Sequence, residues 1–408
     1  MGAKTVGQLP KRHCMVVHAY YPLGETRVER QAAALIEQGY EVDIICLRGD
    51  DEAAVSVEKG ANVYRLPLQR HKGHGSMVQL LEYLAFFVLA FWRLLRLHLQ
   101  RKYGVVQVHN LPDFLVFAAL IPKITGTHVI LDIHDLMPEF FASKSDSHMQ
   151  SFLVRLLILQ EQLSCRFADQ VITVTSEWRE TLIRRGVPAA KVAVVMNVAD
   201  ARIFHQLPAE QGASSSNGKF KLIYHGTITK RYGVDVMLQA VKQAAERVAN
   251  IQLTVHGSGE FLEDSVLFAS ELNLTDIVHF STNFLPTSDL PKLIRGAHVG
   301  IVPNQSNVFT DGILPTKLME YVALGVPVIA ARTPAIQAYF DDTMVQFFEP
   351  GNVDDLANCI VSLGHDRKRL NRLAHNADRF NEQYSWDKVA AEYVALVDRL
   401  NGRRKVEL

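Results

Sequence analysis

Polar groups recur where short apolar runs of this chain end. His18, His109-Asn110, His134-Asp135 and Ser176 close such runs in the first half. His225-Gly226-Thr227, His256-Gly257-Ser258-Gly259 and Pro303-Asn304 close them in the second. In open parallel sheets ligands bind beyond the carboxyl ends of the strands, so this placement in both halves predicts one cleft shared by two domains. The most specific stretch is Asp311–Ala331, DGILPTKLMEYVALGVPVIAA. Pro315 suits the first turn of a helix, and Gly325 with Pro327 ends it before an apolar strand. Glu320 lies among Leu318, Met319 and Tyr321, and a carboxylate in apolar company needs hydrogen-bond donors; sugar hydroxyls are suitable ones. The free amides at the helix start suit a diphosphate, with Lys317 adding positive charge. The plain alternative is a surface helix with a Glu–Lys pair.

Other signals are weaker. The GSG at Gly257–Gly259 lacks the third glycine of a dinucleotide fingerprint, since Leu262 stands there; a simple strand-to-helix turn explains it equally. No GxxxxGK[ST] loop occurs, so phosphate would have to be held by helix N-termini. His256, His279 and His298 read as structural histidines. Cys14, Cys46, Cys165 and Cys359 are too dispersed for a zinc site or redox dithiol, and read as packed thiols in a reducing compartment. No DxD or clustered His/Asp set stands out, so no metal is expected.

These groups must be positioned by alternating elements. Strands are predicted at Cys14–Ala19, Glu41–Cys46, Val105–His109, His128–Ile133, Gln170–Thr175 and Val192–Met196, then at Lys221–Tyr224, Ile251–Val255, Val278–Phe280, Val299–Val302, Val326–Ala330 and Val345–Phe348. They are continuous apolar runs separated by helix-length segments, the pattern of parallel strands covered on both faces. The 408 residues allow two or three domains, and 43 basic against 43 acidic residues give no basic excess for a nucleic-acid partner. The Ser/Gly-rich Gln206–Lys219 reads as a linker, and Trp386–Leu400 as an amphipathic helix that docks.

Met77–Leu99 is unusual. Its unbroken apolar run, Tyr83–Trp92, is too short to span a bilayer. A helix apolar all round is either buried or lies in a membrane interface, and Arg93, Arg96, Arg101 and Lys102 at its end suit anionic headgroups. Phe86, Phe87 and Trp92 are the expected membrane contacts; a buried helix with a solvated basic end is the other reading. Met1–His13 has no apolar signal region, and MGAKTV misses the myristoylation pattern at Val6. The expected location is therefore cytoplasmic, peripheral on the inner face of the membrane through residues 77–102.

Over nearly its whole length the chain resembles the nucleotide-sugar-dependent glycosyltransferases of family 4. The resemblance rests on YPLGETRVERQAAALIEQGYEVDIICL, HGSGEFLEDSVLFASELNLTDIVHF and LPTKLMEYVALGVPVIAA; HNLPDFLVFAALIPKITG with LDIHDLMPE is similar to a bacterial subgroup that builds exopolysaccharide, capsule or O-antigen. It implies an α/β, GT-B fold: an acceptor-binding Rossmann-like domain over 1–200, a nucleotide-sugar-binding one over 201–383, a central cleft, and a crossover helix and tail over 384–408 packing back on the first domain. It implies a retaining, metal-independent transfer of sugar from a nucleoside diphosphate (UDP or GDP) to a lipid-linked or oligosaccharide acceptor, with no cofactor. Glu320 would bind the donor ribose, Gly312, Ile313 and Leu314 would line the diphosphate or sugar, and Gly257 would lie on the donor side. Gly24 matches the glycine loop facing the phosphates, and His134, with Asp135, the group near the transferred sugar. His109, Asp113 and Glu139 are candidate acceptor contacts.

Three positions depart from the family pattern. The first Glu of its Glu-x7-Glu pair falls on Gly312, with Asp311 adjacent. The Arg and Lys of its diphosphate clamp fall on Thr227 and Tyr232, with Lys230 and Arg231 nearby. One glycine, Gly24, stands where many members have two. A GT-B epimerase or inverting transferase using His134 or Asp135 as base, and a catalytically silent partner subunit, are the competing expectations.

Overall fold

The computed structural model describes residues 11–22, 25–70, 76–144, 149–206, 218–283 and 285–402. Gly24 and most of the expected linker, 207–217, lie outside them. The chain forms two units, one from the chain up to Val174, Trp178–Met196 and the chain from Asp387 on, the other from Thr175–Glu177 and Asn197–Trp386.

The first unit contains β1 (Arg12–Tyr20), β2 (Glu41–Leu47), β3 (Val55–Glu58), β4 (Ala61–Leu66), β5 (Val105–His109), β6 (His128–Ile133), β7 (Gln170–Thr173) and β8 (Val192–Val194), in the order β3-β4-β2-β1-β5-β6-β7-β8. All neighbours pair in parallel except β3 with β4. Strand order reverses at β1, the topological switch point where such sheets open a crevice. The sequence reading lacks β3 and β4. The reason is physical: Val55 and Val57 face solvent and alternate with polar residues, so no buried apolar run marks this edge. The helices are α1 (Thr26–Glu37), α2 (Ser76–Arg101), α3 (Leu120–Ile124), α4 (Met137–Lys144), α5 (Phe152–Phe167) and α6 (Ser176–Arg184).

The second unit carries β9 (Phe220–His225), β10 (Ile251–His256), β11 (Val278–Ser281), β12 (Val299–Val302), β13 (Val328–Ala331) and β14 (Gln346–Phe348), all parallel, in the order β11-β10-β9-β12-β13-β14. Its helices are α7 (Val234–Ala245), α8 (Leu262–Glu271), α9 (Leu290–Arg295), α10 (Thr316–Ala323), α11 (Pro334–Gln337), α12 (Val353–His365) and α13 (Arg367–Gln383). The last helix, α14 (Trp386–Gly402), belongs to the first unit, as the amphipathic spacing and the family resemblance predict. Tyr393 Oη donates to Gln107 Oε1 at 2.6 Å, and Asp398 accepts from Tyr40 Oη at 2.6 Å and Lys11 Nζ at 3.0 Å.

Helix α2 corrects the sequence reading in two ways. By length and composition Met77–Arg101 is apolar enough to cross a membrane, because the helix extends well beyond the Tyr83–Trp92 run. Tyr83, Phe86, Ala90, Leu94 and Leu97 are nevertheless buried in the first unit. Phe86 packs edge-on against His18 at 4.9 Å, and Glu82 pairs with the same imidazole at 3.0 Å. Phe86 is thus a core residue. The exposed apolar face is formed instead by Met77, Leu81, Leu84, Val88 and Trp92. Arg101 is committed to Asp43 at 3.1 Å and Glu41 at 2.7 Å, which leaves Arg96 and Lys102 as the exposed cations. A second apolar stripe, Phe152, Leu153, Leu156, Leu159 and Leu163, lies exposed on α5. Phe87 meets Phe114 at 6.0 Å and Phe117 meets Phe167 at 5.0 Å, so the segment before α3 bridges the two helices into one layer.

The unit is pinned by Asp132 of β6, which is fully buried. Arg27 Nε and Nη2 donate to its two oxygens at 2.9 Å each, Gln31 Nε2 donates at 3.2 Å, and His109 Nδ1 lies at 3.2 Å. Burial pushes this carboxyl up, but Arg27 and His109 outweigh it and hold it well below the usual range. Its stabilisation is therefore present above an unfolded carboxyl pKa of about 4 and fades as pH falls further. Asp132→Asn leaves the Arg27 guanidinium buried without its counter-charge, and should cost about 3–5 kcal/mol. Denaturant unfolding of the full chain at neutral pH measures this; an unchanged midpoint contradicts the role given to Asp132.

Candidate active site

In the first unit the polar groups gather at the carboxyl ends of β5 and β6. Asn110 organises them: its Oδ1 accepts from the amide of His134 at 3.1 Å, and its Nδ2 donates to Asp113 Oδ1 at 2.9 Å and to the Asp135 carbonyl at 2.5 Å. His134 is half-buried, Nδ1 has no partner, and burial lowers its pKa to about 4, so the ring is neutral at physiological pH. A neutral imidazole there can offer one donor and one acceptor. His109 is fully buried and lies 3.2 Å from Asp132, so it supports that carboxylate and does not reach an acceptor. Asp113 is also fully buried, and burial raises its pKa to about 6. Glu139 pairs with Arg185, which also binds Glu161 at 2.9 Å. Of the three candidate acceptor contacts, Glu139 and Asp113 keep a buried oxygen without a partner, whereas His109 has a supporting role.

His109, Asp132 and His134 are the one set of metal-capable groups among the described residues, with ligand atoms within 4.8 Å of one another. Both Asp132 oxygens already accept from Arg27. Arg27 and Asp132, 105 positions apart, and Arg185, 24 from Glu161, were not singled out in the sequence, because nothing local marks such a buried pair; Asn110 was, as a strand-end group.

In the second unit, β9, the loop after it and α10 converge. Glu320 Oε2 lies 2.6 Å from His225 Nε2, and His225 Nδ1 lies 2.9 Å from Tyr321 Oη. The imidazole thus holds one carboxylate oxygen and leaves the other open. Lys317 excludes the surface-pair reading. It is buried, its Nζ has no hydrogen-bond partner, and it lies 3.7 Å from the Tyr224 ring centroid and 5.4 Å from that of Tyr232. Burial lowers its pKa to about 7, against the pull of Glu320. A Cβ on Gly226 would meet Lys317 Nζ at 3.5 Å, and one on Gly257 would meet the Gly226 carbonyl at 2.0 Å. With φ of 111° and 138°, both positions require glycine. The GSG turn therefore lets two loops touch.

Arg231 sits over the rings of Tyr232 and Phe309, at 5.7 and 5.8 Å, joining the clamp loop to Thr310–Gly312. Lys230 and Thr227 are exposed beside it, and the Thr227 carbonyl accepts from Tyr224 Oη at 2.6 Å. The Asp311 carboxylate accepts from Ser306 of its own loop at 2.9 Å. Gly312 and Leu314 are buried and Ile313 is half-buried, just before α10. His225, Tyr224 and Tyr232 complete this set; of them only His225 is marked by its strand-end position.

Two family models match the chain, a glycosyl transferase 4-like domain over residues 24–197 and glycosyl transferases group 1 over 209–380. Among relatives, a sulfoquinovosyl transferase of Arabidopsis thaliana is 24% identical over 67% of this chain and 52% of its own length. An uncharacterized glycosyltransferase of Methanocaldococcus jannaschii is 24% identical over 89% of this chain and 90% of its own. With the first of these and with a yeast mannosyltransferase, the match spans about half the relative's length. Sucrose-phosphate synthase from Thermosynechococcus elongatus superposes with a TM-score of 0.76 at 18% identity, covering 96% of this chain and 99% of that one. Anabaena HepE in complex with UDP superposes at 0.66 with 14% identity, covering 95% and 100%. The chain belongs to the glycosyltransferases, with a 4-like first domain and a group 1 second domain on a GT-B fold.

Proposed function

We propose that the protein transfers a sugar, with retention of anomeric configuration and without a metal, from a nucleoside diphosphate sugar to a lipid-linked glycan in bacterial surface polysaccharide synthesis. Lys317 carries the donor part of this reading. A buried ammonium with no acceptor is costly, and a diphosphate beside Gly226 and the start of α10 would satisfy it. Glu320, oriented by His225, would take the ribose hydroxyls through its open oxygen. Arg231 and Lys230 add charge from the neighbouring loop. The leaving diphosphate, stabilised by these groups, is itself the base for the acceptor hydroxyl. His134 would contact the transferred sugar as a neutral ring, which suits hydrogen bonding better than proton abstraction. The motif HNLPDFLVFAAL…LDIHDLMPE supports the bacterial polysaccharide context.

Calorimetric titration with UDP, GDP, ADP and CMP tests the donor site. One nucleotide should bind tightly, and Glu320→Ala should abolish its binding. For the corresponding nucleotide sugar, whose diphosphate diester does not titrate near neutrality, affinity should fall as pH rises past about 7 and Lys317 loses its proton, approaching about tenfold per pH unit. No binding of any nucleotide by folded protein contradicts the reading and leaves the silent-subunit alternative.

The acceptor side rests on the apolar face of α2 and α5, where Met77, Leu81, Trp92 and Phe152 are each at least 60% exposed. It would lie on the cytoplasmic surface of the membrane, bringing the enzyme to a lipid-linked substrate. Leu84→Ser, Val88→Ser and Trp92→Ser together should abolish flotation with phosphatidylcholine vesicles while the fold persists. Undiminished flotation contradicts this placement.

A further inference from the structure

An open cavity of about 590 Å³ lies in the first unit, lined in part by Lys123, Arg166, Phe167, Asp169, Lys191 and Leu400. Lys123 precedes β6, Arg166 and Asp169 precede β7, and Lys191 precedes β8. The cavity is therefore at the amino ends of these strands, opposite to His134 and Asp135. Its charge is unbalanced. Three cations face one carboxylate, and both Asp169 oxygens are used, by Lys123 Nζ at 2.6 Å and by the Val129 amide at 2.9 Å. Lys191 Nζ donates once, to the Arg166 carbonyl at 3.0 Å, leaving N–H groups to spare. Arg166 is exposed, with no acceptor for its guanidinium among the described residues. Burial and the nearby Lys123 both press the Lys191 pKa below its usual range, as expected where like charges await an anion.

The surroundings indicate which anion. Ile124, 70% exposed, is next to Lys123, and Leu163, 51% exposed, lies one turn before Arg166 and Phe167. The cavity thus opens at the border between the apolar layer of α3 and α5 and a cluster of cations, the arrangement that fits the boundary between acyl chains and headgroups. We propose that this cavity binds the phosphate of an anionic lipid headgroup, at a site separate from donor and acceptor. The phosphate chemistry follows from the cations; the choice of a lipid as its source rests on the membrane-facing reading above.

The test uses the full chain with vesicles of phosphatidylcholine alone or mixed with phosphatidylglycerol. Wild type should bind the mixed vesicles at least about fivefold more tightly, at roughly 1 kcal/mol per basic residue near the surface. Arg166→Glu with Lys191→Glu should lose that gain and keep binding to neutral vesicles; Arg166→Gln with Lys191→Gln provides a milder version should the first not fold. Lys368→Glu with Arg372→Glu, an equal charge change at exposed positions of α13 in the second unit, should retain most of the gain. Equal loss in both pairs, or a gain retained in the cavity variants, overturns the proposal. Calorimetry with inorganic phosphate and glycerol 1-phosphate separates the sources: tight binding of either, with no vesicle gain dependent on Arg166 and Lys191, overturns the lipid assignment. Failure of wild type to bind neutral vesicles would count against the apolar-face reading alone, while the gain on mixed vesicles still decides the cavity.

Discussion

Burying one negative charge in the middle of a sheet constrains the whole first unit. Asp132 has no access to water, so its ionised form must be matched inside the protein. Arg27 comes from α1, Gln31 from one turn later, and His109 and Gln107 from the neighbouring strand. Gln107 in turn accepts from Tyr393 of the last helix, and Arg27 Nη1 donates to the Val195 carbonyl just past β8 at 2.8 Å. Elements from the start, middle and end of the chain are thereby fixed by one carboxylate. The carboxyl end of β6, two residues on, inherits that rigidity, and there Asn110 sets the backbone of His134 and Asp135.

The two units handle buried polarity differently. Around Asp132 every strong group is matched, as expected of a structural node. Around Lys317 the ammonium has aromatic rings for neighbours and no acceptor, and one oxygen of Glu320 stays open. Aromatic faces attract a cation but replace only part of its hydration. Such an incomplete site favours a ligand that brings negative charge and hydroxyl donors together, as the proposed nucleoside diphosphate would. Lys317 and Glu320 are three residues apart, yet they do not pair with each other, and the proposed donor would engage them through different parts.

Much of this was legible in the sequence, and the limits have physical causes. Buried parallel strands advertise themselves as apolar runs: Val105–His109, His128–Ile133 and Val299–Val302 coincide with the observed β5, β6 and β12. The edge strand β3 and its inner neighbour β4 do not, because more and less buried residues alternate along them and no continuous apolar run results. The block at Asp311–Ala331 located Lys317 and Glu320 through local chemistry. Asp113 and His109 were recognisable as strand-end groups, but their complete burial was not, since it depends on helices distant in sequence. The same holds for Phe86, which a helical wheel leaves ambiguous until His18 and Glu82 are placed beside it. Likewise, the sequence places Asp311 beside a family position, but not the Ser306 hydroxyl that donates to it.

The proposed activity is transfer from a nucleoside diphosphate sugar to a membrane-derived acceptor. Its most direct test is turnover: folded protein, a panel of nucleoside diphosphate sugars and a bacterial lipid extract, with nucleoside diphosphate release and sugar incorporation into lipid measured together. One donor should give equal release and incorporation, dependent on the extract, with the anomeric configuration of the donor preserved in the product. Release and incorporation absent for every donor, or a product of inverted configuration, would contradict the account.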